Sequence, residues 1–210
     1  MRKFFGRSVR LLFSFSSVVL VLGLLAAGWF YLQLRASRPL LDGEASLSGL
    51  AASASIERDG AGVPTIRGAN RLDVARALGW LHAQERFFQM DLLRRRAAGE
   101  LAELVGAAAL PTDKATRMHG FRAVARAAMG RASPAERALA EAYTAGVNAG
   151  LGALGTKPFE YLLLRATPQP WRVEDCGLVG FSMTLDMQSD IVGHERAIAT
   201  LRNTLGAEAL

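Results

Sequence analysis

The feature that most constrains this chain is a long segment, residues 73–105, in which apolar side chains recur at helical spacing. After the adjacent pair Ala77 and Leu78, apolar residues return at steps of three, four or more, at Leu81, Phe88, Leu92, Leu101 and Leu104. Such spacing predicts an amphipathic helix. A continuous polar face is expected to contain Glu85, Arg86, Gln89, Arg95 and Arg96. Gly99 should divide the segment and Gly106 should end it, so the domain must be built mostly from helices.

Residues with strong preferences for caps and turns predict the remaining elements. Asn70 and Asp73 can cap the long helix. Ser133 and Glu136 have the spacing of a capping box, with Pro134 in the first turn of a second helix. A last helix is expected to begin near residues 173–175 and to run through the apolar segment 178–187.

A short strand pair is predicted before the long helix. Residues 55–58 and 63–67 are extended in pattern, and Asp59-Gly60-Ala61-Gly62 separates them with a turn. Pro64 cannot donate to a strand ladder, so it should lie at a strand start or edge. The predicted fold class is α+β, mostly helical, with a short N-terminal strand pair.

The N-terminal region has the pattern of a membrane segment. Residues 1–10 form a basic cytoplasmic n-region, and residues 11–34 are uncharged and long enough, at about 36 Å as a helix, to cross a bilayer. The alternative is a cleaved signal peptide, whose apolar region is usually shorter. In both cases the rest of the chain is exported to the periplasm or another extracytoplasmic space, and an uncleaved helix would anchor it in the inner membrane.

The charge distribution argues against a nucleic-acid partner. The formal net charge is +6, and residues 1–38 hold six basic and no acidic residues, so the rest of the chain is neutral. A neutral body offers no large basic surface for phosphate. Residues 35–54, which are small, polar and interrupted by Pro39 and Gly43, are predicted to be a linker between membrane and domain.

Residues capable of catalysis are few. Cys176 is the one cysteine and fits a buried small side chain better than a nucleophile. His82 and Glu85 share a helix face, where a polar contact between helices is expected. The run Arg94-Arg95-Arg96 is expected to pair with Asp91, Glu100 and Glu103. These residues alone indicate an anchored helical domain without a recognisable catalytic motif.

Four blocks, in order along the chain, carry a resemblance to a known family. They are Glu57-Arg58-Asp59-x-x-Gly62-Val63-Pro64-Thr65-Ile66; Ala77-Leu78-Gly79-x-x-His82-Ala83-Gln84-Glu85-Arg86-Phe87-Phe88-Gln89-Met90-Asp91 with Gly99-Glu100-Leu101-Ala102-Glu103; Tyr143-x-x-Gly146-Val147-Asn148-Ala149; and Pro158-x-Glu160-Tyr161 with Pro170-Trp171-x-x-Glu174-Asp175. Together they resemble the α region of the penicillin acylase family of N-terminal nucleophile hydrolases.

The resemblance implies an incomplete α-chain-like domain at residues 55–210, belonging to a four-layer αββα fold whose sheet core is missing here. It implies a self-cleaving precursor in which a β chain begins with the nucleophilic serine. The α-amine of that serine acts as the base. No catalytic residue is expected in this sequence, which ends before such a serine. The chain alone is therefore expected to be inactive.

The resemblance also suggests site residues on the last helix. Met183 and Met187 are expected to line the acyl pocket, although both could be core residues at helical spacing. Glu195 matches a calcium ligand, and the other ligands must come from the β chain because calcium takes six to eight oxygens. The alternative for Glu195 is a surface glutamate paired with Arg196 or a neighbouring helix.

The function implied by the resemblance is hydrolysis of carbon–nitrogen bonds in small N-acyl amides. Side-chain amides of β-lactams and acyl-homoserine lactones are the substrate classes, and the sequence does not choose between them. The competing hypothesis is a membrane-tethered helical adaptor, or an inactive remnant, that binds a protein partner.

Overall fold

The computed structural model describes the backbone of residues 2–206 and the side chains of residues 16–188 and 193–206. Within this range the chain is mostly helical, with one two-stranded antiparallel sheet, as predicted for the α+β class. The strands are β1 (Ser55–Arg58) and β2 (Pro64–Arg67). The helices are α1 (Arg2–Ala36), α2 (Arg71–Ala98), α3 (Ala102–Val105), α4 (Leu110–Arg117), α5 (Phe121–Arg131), α6 (Pro134–Gly152), α7 (Phe159–Leu163) and α8 (Asp175–Leu205), and a 3₁₀ turn spans Ala107–Ala109.

The strand pair forms the predicted hairpin. Ile56 faces Ile66 across the ladder, and Arg58 faces Pro64, which is the first residue of β2. The Asp59 carboxylate fixes the turn by accepting hydrogen bonds from the backbone N–H groups of Ala61 and Val63, at 2.9 and 2.8 Å. The prediction for Pro64 is confirmed, because the start of a strand tolerates a residue without an N–H donor.

Helix α2 begins and ends at the residues that the caps predict. The Asn70 side chain accepts hydrogen bonds from the N–H groups of Leu72 and Asp73. At the other end Gly99 adopts a left-handed conformation, with φ +68°. A non-helical residue, Arg86, introduces a kink in the middle.

The predicted polar face of α2 is only partly exposed. Arg95, which was assigned to that face, is buried. The side chains of Asp91 and Arg94 are buried as well. The physical reason is that α2 is the central helix: α4, α5, α6 and α8 all pack against it. A helix surrounded in this way buries polar residues only where they have partners.

Three glycines allow α2 and α6 to pack with their backbones in close contact. A Cβ atom on Gly146 would overlap the carbonyl group of Arg76. One on Gly79 would overlap the carbonyl of Tyr143, and one on Gly150 that of Trp80. Beside this contact lies the main apolar core, formed by Ala83, Phe87, Leu104, Val147, Tyr161 and Trp171.

The capping box predicted for α6 is present. Ser133 Oγ accepts from the Glu136 N–H at 3.3 Å, and the Glu136 carboxylate accepts from the Ser133 N–H at 2.9 Å. Pro134 occupies the first turn. The hydrogen bonds to Ser133 hold the pKa of the Glu136 carboxyl below its usual value.

The predicted linker, residues 35–54, lies against α2. The Leu40 N–H donates to Gln84 Oε1 at 3.0 Å, and the Ala51 N–H donates to Asp73 Oδ1 at 2.9 Å. Helix α1 contains a segment, Ser16–Ala36, that is long and apolar enough to cross a membrane by length and composition alone. Such a helix near the N-terminus fits a signal sequence as well as an anchor. The predicted boundaries between n-region, membrane segment, linker and domain, at residues 10, 34 and 54, stay a prediction.

Candidate functional site

The three residues that the sequence analysis assigned to a site lie on α8. Met183 and Met187 are one turn apart on the same helix face and are 63% and 70% exposed. The alternative that these methionines fill the core is therefore wrong for this chain. Glu195 is also exposed, about 12 Å further along the helix and rotated by about 80° from Met187.

The first turns of α8 are packed, in contrast to the rest of the helix. Leu178 is fully buried against Ala97 of α2 and Ala125 of α5. Phe181 stacks on Phe121 of α5, with ring centroids 4.7 Å apart. Beyond Met187 the described side chains are exposed, apart from a half-buried Ile198. The described residues of α8 from Met183 onward, which we call the outer part of α8, are therefore mostly exposed.

A buried cluster of charges fixes where α8 begins. Arg94 donates to Asp91 Oδ1 at 2.7 Å and to Asp175 Oδ2, in the first turn of α8, at 2.6 Å. The same guanidinium donates to the carbonyls of Gln169 and Pro170 and lies over the Trp171 ring, 4.9 Å from its centroid. Paired and hydrogen-bonded in this way, a buried arginine specifies one position for the loop and helix.

Of the other two arginines of the run, Arg95 has the expected partners and Arg96 has a more distant one. Arg95 pairs with Asp91 and Glu103, as predicted. Glu100, however, pairs with Arg122 of α5, and Arg96 pairs with Asp186 of α8 at 2.5 Å. These ion pairs extend the cluster onto α5 and the exposed part of α8. The Arg96 hydrogen bond lowers the pKa of the Asp186 carboxyl.

An apolar groove of about 600 Å³ lies between α2, α6 and the start of α8. Its walls include Leu78, Met90, Leu139, Trp171 and Val179. The lining also includes Arg86 and Glu136, together with a hydrogen-bonded pair, His82 Nδ1 and the Tyr143 hydroxyl, which are 2.9 Å apart. This confirms the expected contact between helices at His82, whereas Glu85 pairs with Arg58 of β1.

Burial favours the neutral forms of three titratable groups in the groove, His82, Tyr143 and Cys176. Burial lowers the pKa of His82 and raises the pKa of the Tyr143 hydroxyl. Burial also raises the pKa of the Cys176 thiol, whose sulfur accepts a hydrogen bond from Trp171 Nε1. A thiol with a raised pKa is a poor nucleophile, so the groove can bind an apolar group but has no activated nucleophile of its own.

Metal ligands are sparse in the described part of the chain. Among those residues, no group of three or more histidine, cysteine, aspartate or glutamate side chains is placed to hold a metal ion. Glu195 offers one exposed carboxylate. Because calcium takes six to eight oxygen ligands, the described residues do not form a calcium site by themselves.

The sequence analysis missed the groove and the role of Asp175. Arg94 and Asp175 are 81 positions apart, and no local pattern links them. The signal that was present is the placement of Asp175 at a predicted helix start, where an acidic residue is favoured. For the groove, no pattern of one helix indicates which side chains another helix will leave uncovered.

Comparison with known proteins assigns this helical α+β chain to a class of hydrolases. The sequence model of penicillin amidases matches residues 53–210, and the chain belongs to the penicillin amidase family. The family resemblance found in the four sequence blocks is thereby confirmed.

Individual relatives agree with the family assignment. The chain is 43% identical to "Penicillin acylase 2 proenzyme" of Pseudomonas sp. (strain SE83), over 66% of this chain and 18% of the relative. It is 35% identical to "Acyl-homoserine lactone acylase QuiP" of Pseudomonas aeruginosa, over 83% of this chain and 20% of the relative. The chain thus spans about a fifth of the length of these relatives.

A solved structure has a similar fold. A chain of a thermostable penicillin G acylase from Alcaligenes faecalis matches with a TM-score of 0.62 and 25% sequence identity. The match covers 75% of this chain and 86% of that chain. The mostly helical architecture is therefore one that the family uses.

Proposed function

We propose that this chain is the α-chain part of an exported N-acyl amidohydrolase, whose nucleophile is the N-terminal serine of a β chain. The observation that carries the proposal is the family match over residues 53–210, together with relatives of which the matched region covers about a fifth. One of those relatives is named a proenzyme. The proposed reaction is hydrolysis of the amide bond in a small N-acyl substrate, such as a penicillin or an acyl-homoserine lactone.

In this proposal the β chain provides the chemistry and this chain provides part of the binding surface. The serine hydroxyl would attack the amide carbon, and its α-amine would take the proton. Met183 and Met187 would contact the acyl group. Two exposed methionines on a helix whose start is held by buried ion pairs support this role, because flexible apolar side chains on a fixed backbone suit acyl chains.

Calcium is proposed to bind with Glu195 as one ligand and β-chain oxygens as the others. The exposed position of Glu195 on the outer part of α8 leaves its carboxylate accessible to a second chain. Glu195→Gln should lower the calcium content of the assembled chains, measured by atomic emission after dialysis. Glu141→Gln, at an exposed position of α6, is the control and should leave the calcium content unchanged.

The location proposed for the enzyme is the extracytoplasmic side of the inner membrane. The apolar segment Ser16–Ala36 supports an uncleaved anchor, and the six basic residues within residues 1–38 support a cytoplasmic N-terminus.

Co-expression tests the proposed function. This chain, expressed with the β region of its own precursor, should hydrolyse a chromogenic phenylacetyl or fatty-acyl anilide, and the chain alone should not. Met183→Ala and Met187→Ala should change the relative kcat/KM of short and long acyl groups. Met118→Ala, at an 81% exposed position beyond α4, should leave that ratio unchanged.

The same experiment discriminates the adaptor hypothesis. An assembled pair of chains that hydrolyses no member of an acyl-anilide series, although the N-terminal serine has been generated, would remove the hydrolase proposal and leave the adaptor.

A further inference from the structure

The end of α1 is attached directly to the helical domain. The Leu40 N–H donates to Gln84 Oε1 at 3.0 Å, and Gln84 Nε2 in turn donates to the Gly150 carbonyl at 2.6 Å. On the other side of the helix end, a Cβ atom on Gly155 would lie 3.1 Å from the Ala36 carbonyl oxygen. The end of α1 therefore lies against the loop after α6, and the segment that follows it is hydrogen-bonded to α2.

Helix α7 lies beside that last turn. A cavity of about 210 Å³ is lined by Leu34, Ser37 and Pro39 at the end of α1 and by Phe159 at the start of α7. Tyr161 anchors α7 in the core: its ring is fully buried, and its hydroxyl donates to Asp91 Oδ2 at 2.6 Å. The position of α7 next to α1 is therefore set by the core and not by a loose loop.

The outer side of α7 presents apolar side chains that remain partly exposed. Phe159 and Leu163 are one turn apart on the same helix face, and both are exposed, Leu163 to 62%. Leu164 follows directly and is also exposed. We call Phe159, Leu163 and Leu164 the α7 face. Exposed apolar groups of this kind, in contact with an apolar helix of spanning length, indicate an interaction surface.

Basic residues lie at the end of α1 and directly after α7. They are Arg35, Arg38 and Arg165, and all three are exposed. Glu160 is an acidic residue that lines the same cavity as Phe159. Arg165 has a φ of +52°, a left-handed conformation that ordinarily favours glycine. An apolar patch with nearby arginines has the composition of a surface that meets anionic lipid headgroups.

We propose that the α7 face rests on the same bilayer that α1 crosses, inserting Phe159, Leu163 and Leu164 at the headgroup level. The inference depends on the proposed membrane anchor, and it adds a fixed orientation of the domain on the membrane. If Ser16–Ala36 spans the roughly 30 Å hydrocarbon layer, Ala36 lies at its surface. Phe159, which shares a cavity with Leu34, must then lie within a few ångströms of that level.

Site-directed spin labelling of the full chain tests this orientation. Cys176→Ser removes the native thiol, and single cysteines are introduced at Leu163, at Phe159, at Leu32 within the span and at Met118. The labelled chains are reconstituted into vesicles of phosphatidylethanolamine and phosphatidylglycerol. Collision with oxygen, which partitions into lipid, is compared with collision with a water-soluble nickel complex.

Met118 is the matched control because it is exposed and distant. It lies next to the end of α2 near Gly99, while α1 contacts α2 near Gln84, about 20 Å away along the helix. Labels at positions 159 and 163 should lose most of their collisions with the nickel complex, as the label at position 32 does. The label at position 118 should keep them.

The remaining outcomes separate the two proposals. The label at position 32 could be shielded from the nickel complex while the labels at positions 159 and 163 are as accessible to it as the label at position 118. That result would overturn the orientation and leave the anchor in place. An accessible label at position 32, or removal of the N-terminal segment by cleavage, would overturn the anchor and the orientation together. The label at position 159 provides a second reading if L163C does not fold.

Discussion

The contact between α2 and α6 differs sharply from the outer part of α8, from Met183 onward. In the first region, three glycines bring two backbones together and the side chains around them are buried by partners within this chain. In the second, Met183, Met187 and Leu205 are exposed on a helix that extends beyond its neighbours. The first region is therefore packed by this chain itself, whereas the second carries several exposed apolar side chains that no described residue covers.

The buried charge cluster lies between these regions and connects them. Asp91 and Arg94 belong to the packed helix α2, and Asp175 begins α8. Because the cluster fixes the start of α8, the direction in which the outer part of α8 projects is determined by the packed helix α2. The four predictions below test this division of roles.

Removing Arg94 should have the largest effect on stability. Arg94→Met leaves Asp91 and Asp175 buried without their shared cation, and breaking a buried pair costs about 3–5 kcal/mol. We expect the lower end, about 3 kcal/mol, because Arg95 still contacts Asp91 and Arg122 still contacts Asp175. The free energy of unfolding is measured by urea denaturation followed by circular dichroism.

Arg126→Met is the control for that substitution. Arg126 pairs with Glu174, also at the start of α8, but its side chain is largely exposed. Exposed pairs contribute about 0–1 kcal/mol. Equal losses for the Arg94 and Arg126 variants would show that burial of the cluster does not determine its contribution.

Gly146→Ala should have the next largest effect, by separating α2 from α6. The added methyl group would overlap the Arg76 carbonyl, and because backbone atoms are involved, the helices must move apart. Overpacking of a core typically costs about 1–3 kcal/mol, measured by the same urea denaturation.

Gly180→Ala, in α8, provides the opposite case. A Cβ atom there meets nothing within 4 Å, and alanine is favoured over glycine in a helix by about 1 kcal/mol. A stability gain for Gly180→Ala beside a loss for Gly146→Ala would confirm that the glycine is required by close packing at position 146 and not at position 180. A gain for both would contradict it.

The elements that the sequence predicted well are those determined by neighbouring residues. The Asn70 cap, the Gly99 stop, the box of Ser133 and Glu136 and the hairpin all depend on side chains within a few positions. Helices α4 and α5 carry weaker local signals, with no side-chain cap at their first residues, and they received no prediction. Pro111, in the first turn of α4, is the signal that was available.

What the sequence could not supply depends on contacts between distant residues. Arg95 was assigned to a polar face of α2, and helical spacing cannot tell how many neighbours will surround that helix. The exposure of Met183 and Met187 is a similar case, since the pattern of α8 fits a core helix as well as an uncovered one. The family resemblance identified these residues as candidates, and the structure shows where α8 carries them.

His82 should produce a smaller, pH-dependent effect in the packed region. Burial lowers its pKa in the folded chain below the value of 6.5 expected when unfolded. Between the two pKa values the unfolded chain binds more protons, so stability is complete above pH 6.5 and is lost as the pH falls toward the folded pKa. His82→Gln should reduce the slope of stability against pH in that window, measured by urea denaturation from pH 7.5 downward, in steps of about 0.5. An unchanged slope would mean that His82 is not the group that titrates.

Met187→Gln should have the smallest effect on the stability of this chain, within about 0.5 kcal/mol, as is usual for exposed positions. Its side chain contacts little here, so replacing an apolar end by a polar one removes no packing. The same substitution in the assembled enzyme should be costly if a β chain covers α8, because a buried amide without a partner loses about 1–3 kcal/mol. Thermal melts of both forms would measure that difference. Equal, negligible changes in melting temperature for the chain alone and for the assembled enzyme would mean that Met187 stays exposed after assembly. The second chain would then not bind at this position of α8.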